Sequence, residues 1–116
     1  MSEPRWLGRR AVDAIHFDLL RTFGGAQGVR DDGAIESALA RPRNKMAYEE
    51  PSLYDLAAAY TFGLAKNHGY ADGNKRVALA AGATFLHANG IDFIVEEHEA
   101  VIAVHALCED KLDESA

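Results

Sequence analysis

At 116 residues, 48% hydrophobic and 26% charged, the chain has the composition of an ordinary globular protein, which predicts one domain over residues 1–116. The formal net charge of -6 argues against direct binding of nucleic acid, because proteins that bind its phosphates usually carry excess positive charge. The single cysteine, Cys108, and the lack of a long apolar stretch predict a cytoplasmic protein that does not enter a membrane.

The apolar spacing predicts helices almost throughout the chain. The first predicted helix carries apolar residues at intervals of three or four: Val12, Ile15, Leu19 and Phe23. Gly24 and Gly25 follow it and are expected to end it. A second, short helix begins at an aspartate cap and is predicted to end near Pro42, which leaves residues 43–51 as a loop.

Two further helices are predicted in the middle of the chain. Ser52 and Asp55 resemble a capping box, and the helix that they open is apolar on nearly every side, as is typical of the centre of a bundle. After a break at residues 68–73, a fourth helix is predicted from Asn74 to Asn89. A short strand over residues 91–95, a last helix over 97–109 and an acidic tail complete the prediction.

The break between the two central helices, residues 68–76, contains the residues suited to chemistry. A turn followed by a helix start would explain the segment, except that Lys75 and Arg76 stand where a helix presents free amides and partial positive charge. Two cations there favour a bound anion, for which polyphosphate is the best candidate. Asp72 could then hold the Mg2+ that accompanies a nucleotide, and His68 could take a proton from an incoming hydroxyl.

The same segment resembles the motif of the Fic family, HxFx(D/E)GNxR. Six positions agree with it: His68, Tyr70, Asp72, Gly73, Asn74 and Arg76. Lysine between the asparagine and the arginine is similar to the Doc branch of that family. Residues 23–33, 36–39 and 55–60 are also similar to Doc-type chains, so the resemblance covers most of residues 11–90.

The resemblance implies an all-α Fic fold, a helical bundle with the motif loop between two central helices. It implies His68 as the general base, Asp72 as the Mg2+ ligand, and a phosphate-binding group made of the next four residues: Gly73, Asn74, Lys75 and Arg76. Residues 43–51 fall where the family has a flap that aligns the target, which a short β-hairpin could form. An ordinary exposed loop is an equal alternative there. The expected flap contacts are Met46, Ala47 and Tyr48.

The resemblance further implies a toxin of a type II toxin-antitoxin system. Such a Doc-type protein kinase transfers the γ-phosphate of ATP, with Mg2+, to a hydroxyl of elongation factor Tu and blocks translation. The alternatives are a Fic-type AMP transferase that uses the same groove, and a binding module with little catalysis. No segment fits the self-inhibitory pattern (Ser/Thr)xxxE(Gly/Asn), so we expect a separate antitoxin of the Phd type, whose C-terminal segment folds on the toxin.

Three departures from the common Fic pattern bear on this choice. Lys75 stands where AMP-transferring members usually have glycine, and Leu79 stands where they have a second arginine; both differences favour phosphate transfer. Gly69 replaces a frequent proline and predicts a less rigid loop.

The remaining candidates are weaker. Residues 24–28 are glycine-rich but follow a helix, so a turn is favoured over a phosphate loop. His98 and His105 lack a third zinc ligand nearby, and they are expected, with His16 and His87, to be solvated or half-buried.

Overall fold

The computed structural model describes residues 3–91, which form four α-helices. They are α1 (Arg9–Phe23), α2 (Asp32–Tyr48), α3 (Leu53–Asn67) and α4 (Asn74–Ala88). Within these residues the only β-type pairing is an isolated antiparallel bridge between Val29 and Tyr70, so the predicted all-α class is confirmed. None of the described helices is long and apolar enough to cross a membrane.

The predicted elements nearest the C-terminus cannot be compared with this architecture. The strand expected over residues 91–95 and the helix expected over 97–109 lie outside the described residues, apart from Ile91. The same holds for three side chains considered above: His98, His105 and Cys108.

Helix α3 forms the centre of the bundle, as its apolar surface predicted. Every residue from Leu56 to Leu64 is buried, and α3 packs against α2 on one side and α4 on the other. Its start is fixed by the predicted capping box, in which Ser52 Oγ accepts from the Asp55 amide and Asp55 accepts from the Ser52 amide. Gly63 permits a close crossing, because a Cβ there would lie 3.2 Å from the Cα of Ala38 in α2.

The buried face of α1 differs from the predicted one. Its buried residues recur every four positions, at Val12, His16 and Leu20, whereas Phe23 is 59% exposed. His16 is only 4% exposed, so the expectation of a solvated or half-buried histidine is wrong. The apolar spacing identified the helix but not its buried face. His16 can be buried because the main-chain carbonyl of Asp72, in the motif loop, is its hydrogen-bonding partner.

Helix α2 continues beyond the proline that was predicted to end it. Pro42 lies inside the helix, which extends to Tyr48, so the loop predicted over residues 43–51 is wrong for most of its length. Proline removes one backbone hydrogen bond and crowds the preceding turn, at a cost of about 3 kcal/mol. The Pro42 side chain is fully buried in the core, and this burial offsets part of that cost.

The expected flap residues therefore belong to α2. Met46, Ala47 and Tyr48 occupy its last turn, and no β-hairpin forms in the described part of the chain. Met46 packs partly against the core, whereas Tyr48 is 88% exposed.

Candidate active site

The motif loop begins and ends in left-handed backbone. His68 follows α3 with φ 50° and ψ 46°, and among the described residues it is the only non-glycine with positive φ. Gly73 precedes α4 with φ 76° and ψ 16°, a conformation that glycine adopts without strain. A left-handed residue other than glycine costs roughly 1–2 kcal/mol, and such strain often marks a functional position. His68 is therefore the residue at which the chain leaves the helical path of α3 and the loop starts.

The loop is held by the segment that follows α1. The amides of Arg30 and Asp31 donate to the Gly69 carbonyl at 2.8 and 2.9 Å, and the Ala71 amide donates to the Gly28 carbonyl at 3.0 Å. Gly69 is buried, and a Cβ there would lie 2.3 Å from Ile35 Cγ1. This glycine therefore allows close packing rather than the looser loop that the sequence predicted.

Asn74 shapes the loop through its side-chain amide. Its Oδ1 accepts from the Tyr70 amide and its Nδ2 donates to the Tyr70 carbonyl, each at 3.0 Å. Both polar atoms of the side chain thus bind backbone, although the motif resemblance predicted a direct part for Asn74 in phosphate binding. The backbone amide of Asn74 remains in the first turn of α4, where it has no partner within the helix.

Tyr70 anchors the loop in the core. Its hydroxyl donates to Asp13 Oδ1 at 2.6 Å, and Arg9 forms an ion pair with the same oxygen at 3.0 Å. Burial, followed by the hydrogen bond to Asp13, raises the pKa of the Tyr70 hydroxyl, which therefore stays protonated and donates. Arg9 also pairs with Asp32 and Glu36 of α2, so one cation joins α1, α2 and the loop anchor.

An open cavity of about 640 Å³ lies above the loop and brings the motif side chains together. Six of its lining residues are those that the motif nominated: His68, Asp72, Gly73, Asn74, Lys75 and Arg76. The flap candidates Met46, Ala47 and Tyr48 are not among its lining residues in the described part of the chain. The sequence thus predicted the motif residues that line the cavity, but not the lining residues that come from other parts of the chain.

The α4 end of the cavity has the features of an anion site. Gly73 caps α4 without a side-chain hydrogen bond, which leaves the amides of the first turn available to a ligand. Lys75 and Arg76 are exposed on that turn, and the Arg76 guanidinium carbon lies 4.2 Å from the centre of the Phe23 ring. Free amides, helix dipole and two cations all favour negative charge at this position.

Asp72 lies beside these cations. Its Oδ1 accepts from the Gly73 amide at 2.8 Å and its Oδ2 accepts from the Ala26 amide at 3.3 Å, so the carboxylate is oriented by backbone. No group of three or more metal-binding side chains occurs among residues 3–91, and Asp72 is the only carboxylate that lines the cavity there. This donor set suits Mg2+ only when phosphate oxygens and waters supply the other ligands, as they do for nucleotide-bound Mg2+.

Two residues at the site were not predicted from the sequence. Arg30, in the segment between α1 and α2, lines the cavity and adds a third cation. His16 Nε2 lies 3.0 Å from the Asp72 carbonyl oxygen. The four-residue spacing of Val12, His16 and Leu20 was a signal for the buried histidine. Nothing in the sequence indicated that Arg30 would face the motif loop, because that proximity depends on the fold.

Comparison with known proteins agrees with this architecture. Residues 6–86 match the Fic/DOC family. "Toxin Doc" of Mycolicibacterium smegmatis is 44% identical over 102 residues, covering 81% of this chain and 77% of that protein. "Protein kinase doc" of Escherichia phage P1 is 33% identical over 103 residues, covering 88% of this chain and 82% of that protein. With its motif loop between two central helices and these relatives, the chain belongs to the Fic/Doc family, among its Doc members.

Proposed function

We propose that this protein is the toxin of a type II toxin-antitoxin system and acts as a protein kinase, transferring the γ-phosphate of ATP to a hydroxyl of a target protein. One observation carries the proposal: a histidine, a carboxylate and two cations line one cavity at the free N-terminus of α4. The relatives named "Toxin Doc" and "Protein kinase doc" support both parts of it. Elongation factor Tu is the proposed target, on the strength of the Doc resemblance, with a block of translation as the consequence.

The reaction requires one proton acceptor and a site for developing negative charge. The target hydroxyl oxygen forms a bond to the γ-phosphorus, the bond from that phosphorus to the bridging oxygen breaks, and ADP leaves with the bond's electron pair. In this proposal the hydroxyl proton passes to the His68 imidazole. Lys75, Arg76 and the first amides of α4 hold the phosphate oxygens, while Gly73 allows them to approach the backbone.

Asp72 is the proposed metal-binding residue. A carboxylate beside a phosphate site would hold Mg2+, which neutralises part of the charge on the nucleotide when it is bound. Amides of Ala26 and Gly73 fix both carboxylate oxygens, so Asp72 is oriented before a ligand arrives. The lone carboxylate implies that the nucleotide and Mg2+ bind together.

Lys75 is proposed to select the phosphate that is attacked. An exposed ammonium at the helix start attracts the most highly charged phosphate, and its four-carbon stem fills space that a glycine would leave to the nucleotide. Leu79, four residues further along α4, is half-buried and offers no charge to distal phosphates. AMP transfer is the second candidate function. In it the same cavity would hold the nucleotide with the α-phosphate, rather than the γ-phosphate, at the position that the target hydroxyl attacks.

Labelled ATP separates these functions. Purified protein is incubated with elongation factor Tu, Mg2+ and ATP labelled at the γ- or the α-phosphate, and the target is then analysed by mass spectrometry. Transfer of γ-label supports the kinase, transfer of α-label supports the AMP transferase, and binding without label supports a binding module. Lys75→Gly should lower γ-transfer and allow detectable AMP transfer, more so with Leu79→Arg. An unchanged rate and no AMP in Lys75→Gly would refute the selecting role of Lys75.

Control by a separate antitoxin completes the proposal. Expression of the chain alone should stop growth, and co-expression of a Phd-type antitoxin encoded by the adjacent reading frame should restore it. The proposed inhibitor folds its C-terminal segment on the toxin, a process that can cover a large surface. Harmless expression of a correctly folded chain would contradict the toxin proposal.

A further inference from the structure

His16 is a buried polar side chain that the proposed reaction does not use. It lies in the middle of α1 and is 4% exposed, on the face that packs towards α4 and the motif loop. A buried polar group needs a hydrogen-bonding partner, since leaving it unpaired costs roughly 1–3 kcal/mol. Its partner is the main-chain carbonyl of Asp72, 3.0 Å from His16 Nε2. A carbonyl oxygen only accepts, so Nε2 carries the proton and donates.

The imidazole ring makes a second contact with the motif. It stacks on the Tyr70 ring with centroids 3.9 Å apart and planes inclined by 14°. The Tyr70 hydroxyl and backbone are held separately, by Asp13 and by Asn74. The distinct contribution of His16 to the loop is therefore its hydrogen bond to the Asp72 carbonyl.

That hydrogen bond is made directly before the backbone turn that leads from the loop into α4. Asp72 is followed by Gly73 with φ 76°, the residue at which the chain turns into α4. Within the described residues, Asp72 is exposed and its carboxylate bonds only to the amides of Ala26 and Gly73. A donor in α1 that holds the Asp72 carbonyl fixes the peptide plane between Asp72 and Gly73. The orientation of the Gly73 amide, which donates to Asp72 Oδ1, follows from that plane.

From this geometry we infer that His16 is a positioning residue, which holds the Asp72 main chain so that its carboxylate is oriented for Mg2+. The inference rests on the proposed function for the identity of the metal and the nucleotide. It assigns His16 no contact with substrate, because the ring is buried beneath the loop. The hydrogen bond, rather than ring stacking, is the feature that affects the metal.

Two substitutions separate the hydrogen bond from the stacking. His16→Phe keeps a planar ring for Tyr70 but has no N–H, whereas His16→Gln keeps an N–H donor without the ring. His16→Leu is a second variant without a donor, for use if phenylalanine is too large for the buried position. His87→Phe is the matched control, because His87 lies exposed near the end of α4.

The experiment is an Mg2+ titration of the whole protein with the non-hydrolysable analogue AMP-PNP, followed by the Gly73 amide signal in NMR spectra. His16→Phe and His16→Leu should raise the half-saturating Mg2+ concentration roughly two- to tenfold, as expected for one lost hydrogen bond. His16→Gln and His87→Phe should stay within about twofold of the parent protein, and melting temperatures identify any variant that is merely unfolded.

Parent-like Mg2+ affinity in a folded variant without a donor would overturn the inference. Equal losses in His16→Gln and His16→Phe would also overturn it, because an N–H donor at this position would then not preserve Mg2+ affinity. The proposed kinase function fails separately, if the parent protein saturates with Mg2+ and AMP-PNP but transfers no phosphate from ATP to elongation factor Tu.

Discussion

Tyr70→Phe tests whether one buried hydroxyl anchors the motif loop to α1. The Tyr70 hydroxyl donates to Asp13 Oδ1 at 2.6 Å, and the residue is 1% exposed. A hydrogen bond to a charged group contributes about 1.5–3 kcal/mol to stability. The lower end of this range applies, because the Asp13 side chain is 43% exposed and keeps its ion pair with Arg9, so water can replace the lost donor. We therefore expect a loss of about 1.5 kcal/mol, or roughly 6 °C in melting temperature.

The assay is thermal and urea unfolding of both proteins, followed by circular dichroism. Tyr48→Phe is the matched control, since Tyr48 is 88% exposed and its hydroxyl should contribute almost nothing. A Tyr70→Phe protein as stable as the parent would refute the anchoring role of the hydroxyl. Equal losses in both variants would show that a general property of the Tyr→Phe change, rather than the contact with Asp13, is responsible.

Three further predictions concern the same loop. Burial and Asp13 raise the pKa of the Tyr70 hydroxyl, so the folded state keeps a proton that the unfolded chain loses near pH 10. The free energy of unfolding, measured with urea at several pH values, should therefore fall above about pH 10, and less steeply in Tyr70→Phe. His68→Gly should relieve the strain at φ 50° and raise stability by up to about 1 kcal/mol, while slowing the proposed phosphate transfer by about 10²–10⁴. A destabilised or fully active variant would contradict this. Gly69→Ala should lower the free energy of unfolding, measured with denaturant, by about 1–3 kcal/mol, because its Cβ would lie 2.3 Å from Ile35 Cγ1. The control Gly33→Ala, near the start of α2, should be neutral or stabilising.

Helix α3 and the start of α4 could be predicted from the sequence, because the residues that indicate them are close together in the chain. The capping box at Ser52 satisfies the free amides of a helix start whatever the rest of the chain does. The apolar surface of α3 must be covered on all sides, which places this helix in the centre. Similarly, Lys75 and Arg76 are neighbours in the chain directly after a helix-breaking segment, so the order of residues alone indicates their unusual position at a helix N-terminus.

Helix α2 shows where local signals fail. A proline is an unfavourable residue inside a helix, and the sequence alone indicates the cost of Pro42 without its compensation. The compensation is tertiary, since the ring is fully buried in the folded protein. Six further residues of α2 follow from that burial, among them Met46, Ala47 and Tyr48, which the sequence had assigned to a flap.

The identity of the chemical groups was determined by the sequence, whereas their mutual arrangement was decided by the fold. The motif supplied His68, Asp72 and the cations within nine consecutive residues. What holds those residues comes from elsewhere: Gly28 and Arg30 bind the loop backbone, and His16 binds the Asp72 carbonyl 56 residues away in sequence. The role of a polar residue on a buried helix face depends on its hydrogen-bonding partner, and only tertiary packing supplies that partner.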